Sequence, residues 1–483
     1  MPHAAALTAG PAARRTRLRR ARRPRRSPRT AGGVAGATLV LAGGLLWDIP
    51  GLEPAGERML GIFLAAIILW ASEAIPLVAT SMGILLAEVL LISSDGLFDV
   101  ADDAGAVPAA DYLAALASPV VVLFIGGFMI AAGATKFDVG RVLSSAILRP
   151  LGGRPRPTLL GVMAVTATLG MFMSNTATTA TMFAIMLPAI TALEDARSRT
   201  AMALAIPVAA SVGGMMTPVG TPPNAIAIGI LADQGIRVTF LDWVLLSLPV
   251  AVLLILVAWA FLAWRYLDAS SPLALDADAR LDTSRPAVTF YAIAGLAILG
   301  WLTEPLHGLS SSTVSLAAVV ALLALRVMDG EDVKRLDWPV LWLVAGGIAL
   351  GRGVGDTGLD SWLIGAVPWG GIPAALVLLA VAAISWGVSN FVSSTAAANL
   401  LVPMSIGISI SVANSTAEVA VVMALACSLG MCLPVSTPPN AIAHATGLVP
   451  TRDMVRIGML VGGLGVLLLS VAAPLPWSWL GLT

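Results

Sequence analysis

Charge is scarce in this sequence. Of its 483 residues only 12% are Asp, Glu, Lys or Arg, 58% are hydrophobic, and mean hydropathy is +0.90. A soluble chain of this length needs roughly twice that charge to cover its surface, so a soluble globular protein is excluded and a polytopic membrane protein is indicated. The net charge is zero, which gives a nucleic acid nothing to bind. There are only two cysteines, Cys427 and Cys432. Their spacing fits no zinc or redox motif, so they pack as small hydrophobes and say nothing about redox compartment. Histidine is limited to His3, His307 and His444. With no metal or nucleophilic catalytic site and no phosphate-binding loop, no catalytic residue is assigned and an enzyme is not expected. An intramembrane enzyme or a receptor would need a catalytic dyad or a large external domain, and neither is present.

The charge that exists is unevenly placed. Residues Arg14 to Arg29 form an arginine-rich run ahead of the first apolar segment. It reads as a disordered cytoplasmic tail, residues 1–33, that sets orientation. A twin-arginine export signal fits less well, because later spans hold the chain in the membrane and no cleavage site is evident. Arginine far outnumbers lysine and alanine is abundant, which suggests a GC-rich bacterial source and hence a bacterial inner membrane.

Apolar segments follow at Val34–Trp47, Met59–Ala74, Leu77–Ile92 and Pro119–Thr135, with an acidic loop at Asp95–Asp111 and a basic stretch at Lys136–Arg156. Thr158–Leu193 is apolar but broken at Ser174-Asn175-Thr176, and its flanks carry Arg156, Arg197 and Arg199. Positive charge on both sides keeps both ends cytoplasmic, so this segment enters and returns. Ala201–Leu231 crosses next, interrupted at Thr217–Asn224, and Trp243–Trp264 returns.

A polar linker, residues 268–286, separates this first half (34–267, with its hairpin at 158–193) from a second (287–483). The second half repeats the plan. Val288–Leu302, Ser312–Leu325 and Trp338–Val354 precede a hairpin at 372–411, broken at Ser393-Ser394-Thr395. Its flanks lack a basic cluster, so it enters from outside. Val419–Thr446 is broken at Pro434–Asn440, and Ile457–Ala473 makes the last crossing. The phrase Thr-Pro-Pro-Asn-Ala-Ile occurs at Thr221–Ile226 and again at Thr437–Ile442, and Gly126-Gly127 is matched by Gly346-Gly347. The expected fold is an all-α polytopic membrane protein of about 11 transmembrane helices, in an inverted repeat with two re-entrant helical hairpins.

Broken helices at membrane depth are tolerated only where they are buried in protein or line a cavity. Each hairpin tip starts a helix, whose free N–H groups attract anions. The Thr-Pro-Pro pieces unwind their spans and release carbonyls that suit a small hard cation. None of the four motifs contains a charged residue. A carboxylate or sulfate held there needs compensation from dipoles and co-bound cations, which favours cation coupling.

These four motifs resemble those of the divalent anion/sodium symporter family, also called the solute carrier 13 or INDY-like family, from about Glu57 to the C-terminus. The resemblance implies a homodimer with a scaffold and a moving, elevator-type transport domain. It implies a secondary transporter of small dicarboxylates such as succinate, malate or fumarate, coupled to sodium, and the arginine-rich tail separately places the N-terminus in the cytoplasm. Exchange, proton coupling, or carriage of citrate or sulfate is the alternative. Carried over by position, the substrate-binding residues are Ser174, Asn175, Thr176, Pro222, Ser393, Ser394, Thr395, Thr437 and Pro438, with Thr221 bordering them. Sodium would be held by Ser174, Asn175 and Gly220 at one site and by Ser389, Ser394 and Ser436 at another, and no other cofactor is implied. The family's second triplet usually reads Ser-Asn-Thr, whereas Ser394 holds its middle place here. His444 is a candidate proton or cation substitute, or else a packed histidine. Arg352 and Asp356 read as an interfacial pair or a snorkelling cation.

Overall fold

The structure is a computed structural model that describes residues 28–98, 107–267, 279–365, 372–412 and 415–472. The tail through residue 27, the acidic-loop positions 99–106 and most of the expected linker lie outside these residues.

The described residues are helical. In the first half they form α1 (Pro28–Gly43), α2 (Pro54–Ser72), α3 (Leu77–Leu91), α4 (Ala109–Leu113), α5 (Pro119–Lys136), α6 (Val139–Leu148), α7 (Pro155–Gly170), α8 (Asn175–Ala192), α9 (Ala196–Gly214), α10 (Pro222–Asp233) and α11 (Phe240–Arg265). The second half gives α12 (Arg285–Leu302), α13 (Glu304–His307), α14 (Ser311–Ala324), α15 (Gly330–Lys334), α16 (Trp338–Asp356), α17 (Leu359–Gly365), α18 (Ala374–Ser389), α19 (Ser394–Leu401), α20 (Ser405–Val412), α21 (Thr416–Ser428), α22 (Pro438–Ala445) and α23 (Thr451–Ala472). Six helical stretches are long and apolar enough to cross a membrane, and the remaining apolar helices are shorter. The polar breaks account for many of the short ones, because they divide what would be a full span into two limbs.

Local chemistry sets the ends. Proline opens α2, α5, α7 and α10, where its missing N–H costs nothing. Ser118, Ser284 and Ser310 cap α5, α12 and α14, and Thr239 with Asp242 forms a capping box on α11. α6 was not foreseen. It lies in the basic stretch and buries Gly140, Ser144, Ser145 and Leu148 on one face. The second hairpin's return limb is also interrupted: Pro403 sits in a 3-10 turn, Val402–Met404, between α19 and α20.

Helices are packed by closeness of backbone, as expected where lipid is the alternative solvent. A methyl group on Gly126 of α5 would lie 2.4 Å from Ser315 Cβ of α14, and one on Gly346 of α16 would lie 2.5 Å from Ser81 Cβ of α3. The two glycine positions are thus used alike, and each half packs its glycine helix on the other half: α5 with α14, and α16 with α3. α9, α10 and α21 are buried almost all round, whereas α12 exposes Leu296 and Leu299. The first break therefore sits in the interior, while the second is partly open at Val435 and Pro438.

Candidate transport site

The first hairpin is α7 and α8 joined by residues 171–174, and the second is α18 and α19 joined by residues 390–393. Both tips are helix starts built the same way. Ser174 Oγ accepts from Ala177 N at 3.3 Å, and Ser393 Oγ accepts from Ala396 N at 3.2 Å. The hydroxyls expected to be ligands are therefore also N-caps. Each outgoing limb packs beside its own half's broken span, α7 on α9 and α18 on α21. Each return limb packs on the other half's break, α8 on α22 and α19 on α10. This crossing brings the four motifs into one region.

Around the first tip the backbone closes tightly. A methyl on Gly220 would lie 2.4 Å from Gly214 O and 2.9 Å from Gly170 O, and one on Gly214 would lie 2.2 Å from Asn175 Oδ1. Asn175 Oδ1 is buried and has no hydrogen-bond partner. Ser174 and Asn175 are half-buried, Thr176 is exposed, Pro222 opens α10, and Gly220 and Thr221 are buried. The result is a small cage of carbonyl and amide oxygens with one acceptor unspent. Such a set of oxygen donors suits a small hard cation.

The second cage is built differently. Gly430 takes the place of Gly214, and a methyl there would lie 2.0 Å from Ser389 Oγ and 2.6 Å from Ser389 O. Ser389 replaces Gly170 and Ser436 replaces Gly220. Ser389 Oγ donates to Trp386 O at 3.0 Å, and Ser436 Oγ donates to Leu433 O at 2.7 Å. Both keep lone pairs for a ligand. Ser394 Oγ, like Asn175 Oδ1, is buried without a partner. Thr437 caps α22, Thr395 is half-buried, and Pro438 is exposed.

The asparagine of the repeated hexapeptide was not assigned a role from sequence, although its recurrence at Asn224 and Asn440 was the available signal. Asn224 Nδ2 donates to Thr217 O at 2.7 Å and Gly214 O at 3.0 Å. Asn440 Nδ2 donates to Met431 O at 2.7 Å and Leu433 O at 3.0 Å. Each asparagine staples the unwound strand that proline opened, so part of the released carbonyl capacity is already used. Asn224 Oδ1 is left buried and unpartnered. Two further ties hold hairpin to break: Thr217 Oγ1 donates to Met171 O, and Asn390 Oδ1 accepts from Cys432 N at 2.8 Å.

A cavity of about 580 Å³ reaches the first tip. Ser174 and Ala177 line it together with Lys136, Asp332 and Arg335. Lys136 pairs with Asp332 at 2.7 Å. A second cavity, about 300 Å³, runs past Pro218, Arg237 and Glu304 beside the first break.

Two expectations need correction. Arg352 does not pair with Asp356. Its guanidinium donates to Asp233 Oδ1 at 2.6 Å and to Asp111 O at 2.5 Å, because α10 and α4 both end beside α16 there. His444 is hydrogen-bonded, as one of its two readings held, with Nδ1 at 3.0 Å from Val449 O, but it is exposed near the end of α22 and not packed in the interior. Cys427 and Cys432 are free and buried, as their apolar surroundings implied.

A family model described as the sodium:sulfate symporter transmembrane region matches residues 36–483. An uncharacterized transporter of Haemophilus influenzae is 28% identical over 456 residues, 90% of this chain and 94% of that protein. The sodium-dependent dicarboxylate transporter SdcS of Staphylococcus aureus strain USA300 is 26% identical over 470 residues, 89% of this chain and 87% of that protein. Among solved structures, the Alcanivorax borkumensis YdaH transporter, reported to have an unusual topology, has TM-score 0.56 and 13% identity over 94% of this chain and 98% of that one, a likeness of fold. Since the family's region is matched over nearly the whole chain, this protein belongs to the divalent anion/sodium symporter family of multi-pass transporters.

Proposed function

We propose that the chain moves a small dicarboxylate, of the succinate, malate or fumarate class, together with sodium. The observation that carries this is the unspent Asn175 Oδ1, buried against Gly214 at a helix start whose capping serine lines a cavity. Sodium would sit among the Gly170 and Gly214 carbonyls and Asn175 Oδ1. The substrate carboxylates would meet the N–H groups of α8 and α19 and the side chains of Thr176, Thr395 and Thr437, with Pro222 and Pro438 as walls. Binding the cation first places positive charge beside the anion's position in a low-dielectric interior. This makes the dianion's affinity depend on sodium without a fixed cationic side chain.

The second sodium would use Ser389, Ser394 and Ser436. Ser394 brings one oxygen where the first site has an amide, so sodium is held there less tightly. Residues 34–267 and 287–483 would act as the two inverted halves. The hairpins and broken spans would form a transport domain that slides past a dimeric scaffold in a bacterial inner membrane, with the N-terminus cytoplasmic.

Uptake of labelled succinate into proteoliposomes tests this directly. Uptake driven by an inward sodium gradient is expected. Sodium-independent uptake that requires internal dicarboxylate would replace symport by exchange, and no uptake of any dicarboxylate would defeat the substrate class.

A further inference from the structure

Glu88 lies within the apolar helix α3 and is fully buried, and neither of its carboxyl oxygens has a hydrogen-bond partner. It faces α16. A methyl on Gly353 would lie 3.0 Å from Glu88 Oε1 and 2.9 Å from Met59 Sδ. Asp356 follows on α16, and its Oδ2 is also buried and unpartnered.

The charged groups on the surrounding helices do not neutralise this pair. Arg352 of α16 is committed to Asp233 of α10 and to the Asp111 carbonyl of α4. Arg58 of α2 donates to Leu91 O at 3.3 Å and lies over the Phe98 ring. Tyr112 of α4 and the carboxyls of Asp111 on α4 and Asp233 on α10 are the other titratable neighbours, and none brings a positive charge. One carboxyl, Glu88, is therefore closed into the interior, and a second, Asp356, is half-buried with one oxygen shut off from solvent, while the nearby guanidinium is already taken.

The fold does not require a carboxyl at this position. Gly126 meets Ser315 as Gly346 meets Ser81, which fixes the register of the two equivalent helix crossings. Seven residues beyond Ser81 is Glu88, and seven beyond Ser315 is Leu322, which is fully buried. The same slot is filled in the other half by an apolar side chain. An ionisable residue inside a membrane protein, where an apolar one would pack, marks a functional site. The burial of an unpaired carboxylate is costly enough that it takes up a proton or a cation instead. No group of three or more His, Cys, Asp or Glu residues gathers around one point among the described residues, so these carboxyls are not part of a multidentate metal centre of that kind.

We propose that Glu88 and Asp356 form a proton-binding site between α3 and α16. One carboxylate oxygen takes a proton from solvent, becomes a hydroxyl and leaves the pair with a single negative charge, about one helical turn along α16 from Arg352. The same arginine holds Asp233 at the end of α10, a limb of the broken span. Through that contact the protonation state is linked to the movement assigned above to the transport domain, and this last link alone rests on the proposed function.

The test uses the full-length protein in membranes. Infrared spectra should show the carbonyl stretch of a protonated carboxyl, lost or displaced in Glu88→Gln and in Asp356→Asn. The wild-type melting midpoint should fall as pH is raised toward alkaline values, and Glu88→Leu, the residue type that the other half tolerates, should flatten that dependence and still fold. A band and a pH profile that are unchanged in all three variants would overturn the proposal. So would a wild-type midpoint that follows sodium at fixed pH and loses that dependence in Glu88→Gln. Neither measurement needs transport, so a failure of the succinate assay would leave both outcomes readable.

Discussion

An added methyl group at Gly220 would have no space to enter. Its nearest neighbours would be Gly214 O at 2.4 Å, Gly214 Cα at 2.8 Å and Gly170 O at 2.9 Å, all of them backbone. No side chain can rotate away to relieve this, and Gly214 O is further fixed by its bond from Asn224 Nδ2 at 3.0 Å. Overpacking of this kind costs about 1–3 kcal/mol. Because the strain falls on the proposed sodium ligands themselves, most of it should appear as lost sodium affinity. At 1.4 kcal/mol per tenfold, that is an increase of about 5- to 150-fold in the sodium concentration for half-maximal uptake. The assay is sodium-titrated succinate uptake by Gly220→Ala in proteoliposomes, with the melting midpoint followed in parallel. Ser436→Gly, at the equivalent place in the second half, removes side-chain bulk and should fold normally. Wild-type sodium dependence in Gly220→Ala, with an unchanged midpoint, would refute the first cage.

Asn175→Ala, which deletes the unspent amide oxygen, should abolish sodium-driven uptake and leave the protein folded, as checked by uptake and size-exclusion profile. Ser394→Asn should restore an amide at the second tip and lower the sodium concentration needed, read from the same titration. Gly346→Ala forces α16 off Ser81 and should lower stability by about 1–3 kcal/mol, seen as a lower melting midpoint. Arg237→Ala removes the partner of Glu304, which it meets at 2.6 Å. Ser311 still bonds that carboxyl and Arg237 is largely exposed, so a loss of about 1 kcal/mol is expected in thermal melts, recovered when Glu304→Gln is added. Asp195 caps α9, and bonds from the Ser198 hydroxyl and backbone N–H hold its carboxyl below the usual range. A lowered carboxyl favours the folded state above the ordinary carboxylate range and loses that contribution as pH falls through the folded value. Asp195→Asn should therefore reduce the acid sensitivity of the melting midpoint.

The hairpins and breaks were legible because the chain writes them twice in one-letter terms: a serine before a helix start, and Thr-Pro-Pro-Asn. The polar interruption of an apolar run is a local signal, and the helix ends follow from it to within a few residues at most positions. What was not legible depends on contacts between distant segments. The partner of Arg352 lies 119 positions away in sequence, and its nearer neighbour Asp356 was the natural but mistaken choice. Asn224 could be seen to recur, but that its amide staples Thr217 and Gly214 follows only from how the unwound strand folds back. α6 was hidden because its small polar residues, Ser144 and Ser145, are buried by packing that composition does not reveal. Glu88 stood alone in an apolar run, and only the superposable crossing at Leu322 shows that a carboxyl was not needed there.

The exchange of partners between halves has a consequence for biosynthesis. α3 is made early but rests on α16, and α5 rests on α14. A nascent chain that has emitted only its amino-terminal portion therefore holds helices whose resting places do not yet exist, and it must wait in the bilayer for about 175 more residues in the case of α5 and about 250 in that of α3. Severing the gene at the linker and producing both pieces together should yield a working assembly, while either piece alone should be cleared by proteases.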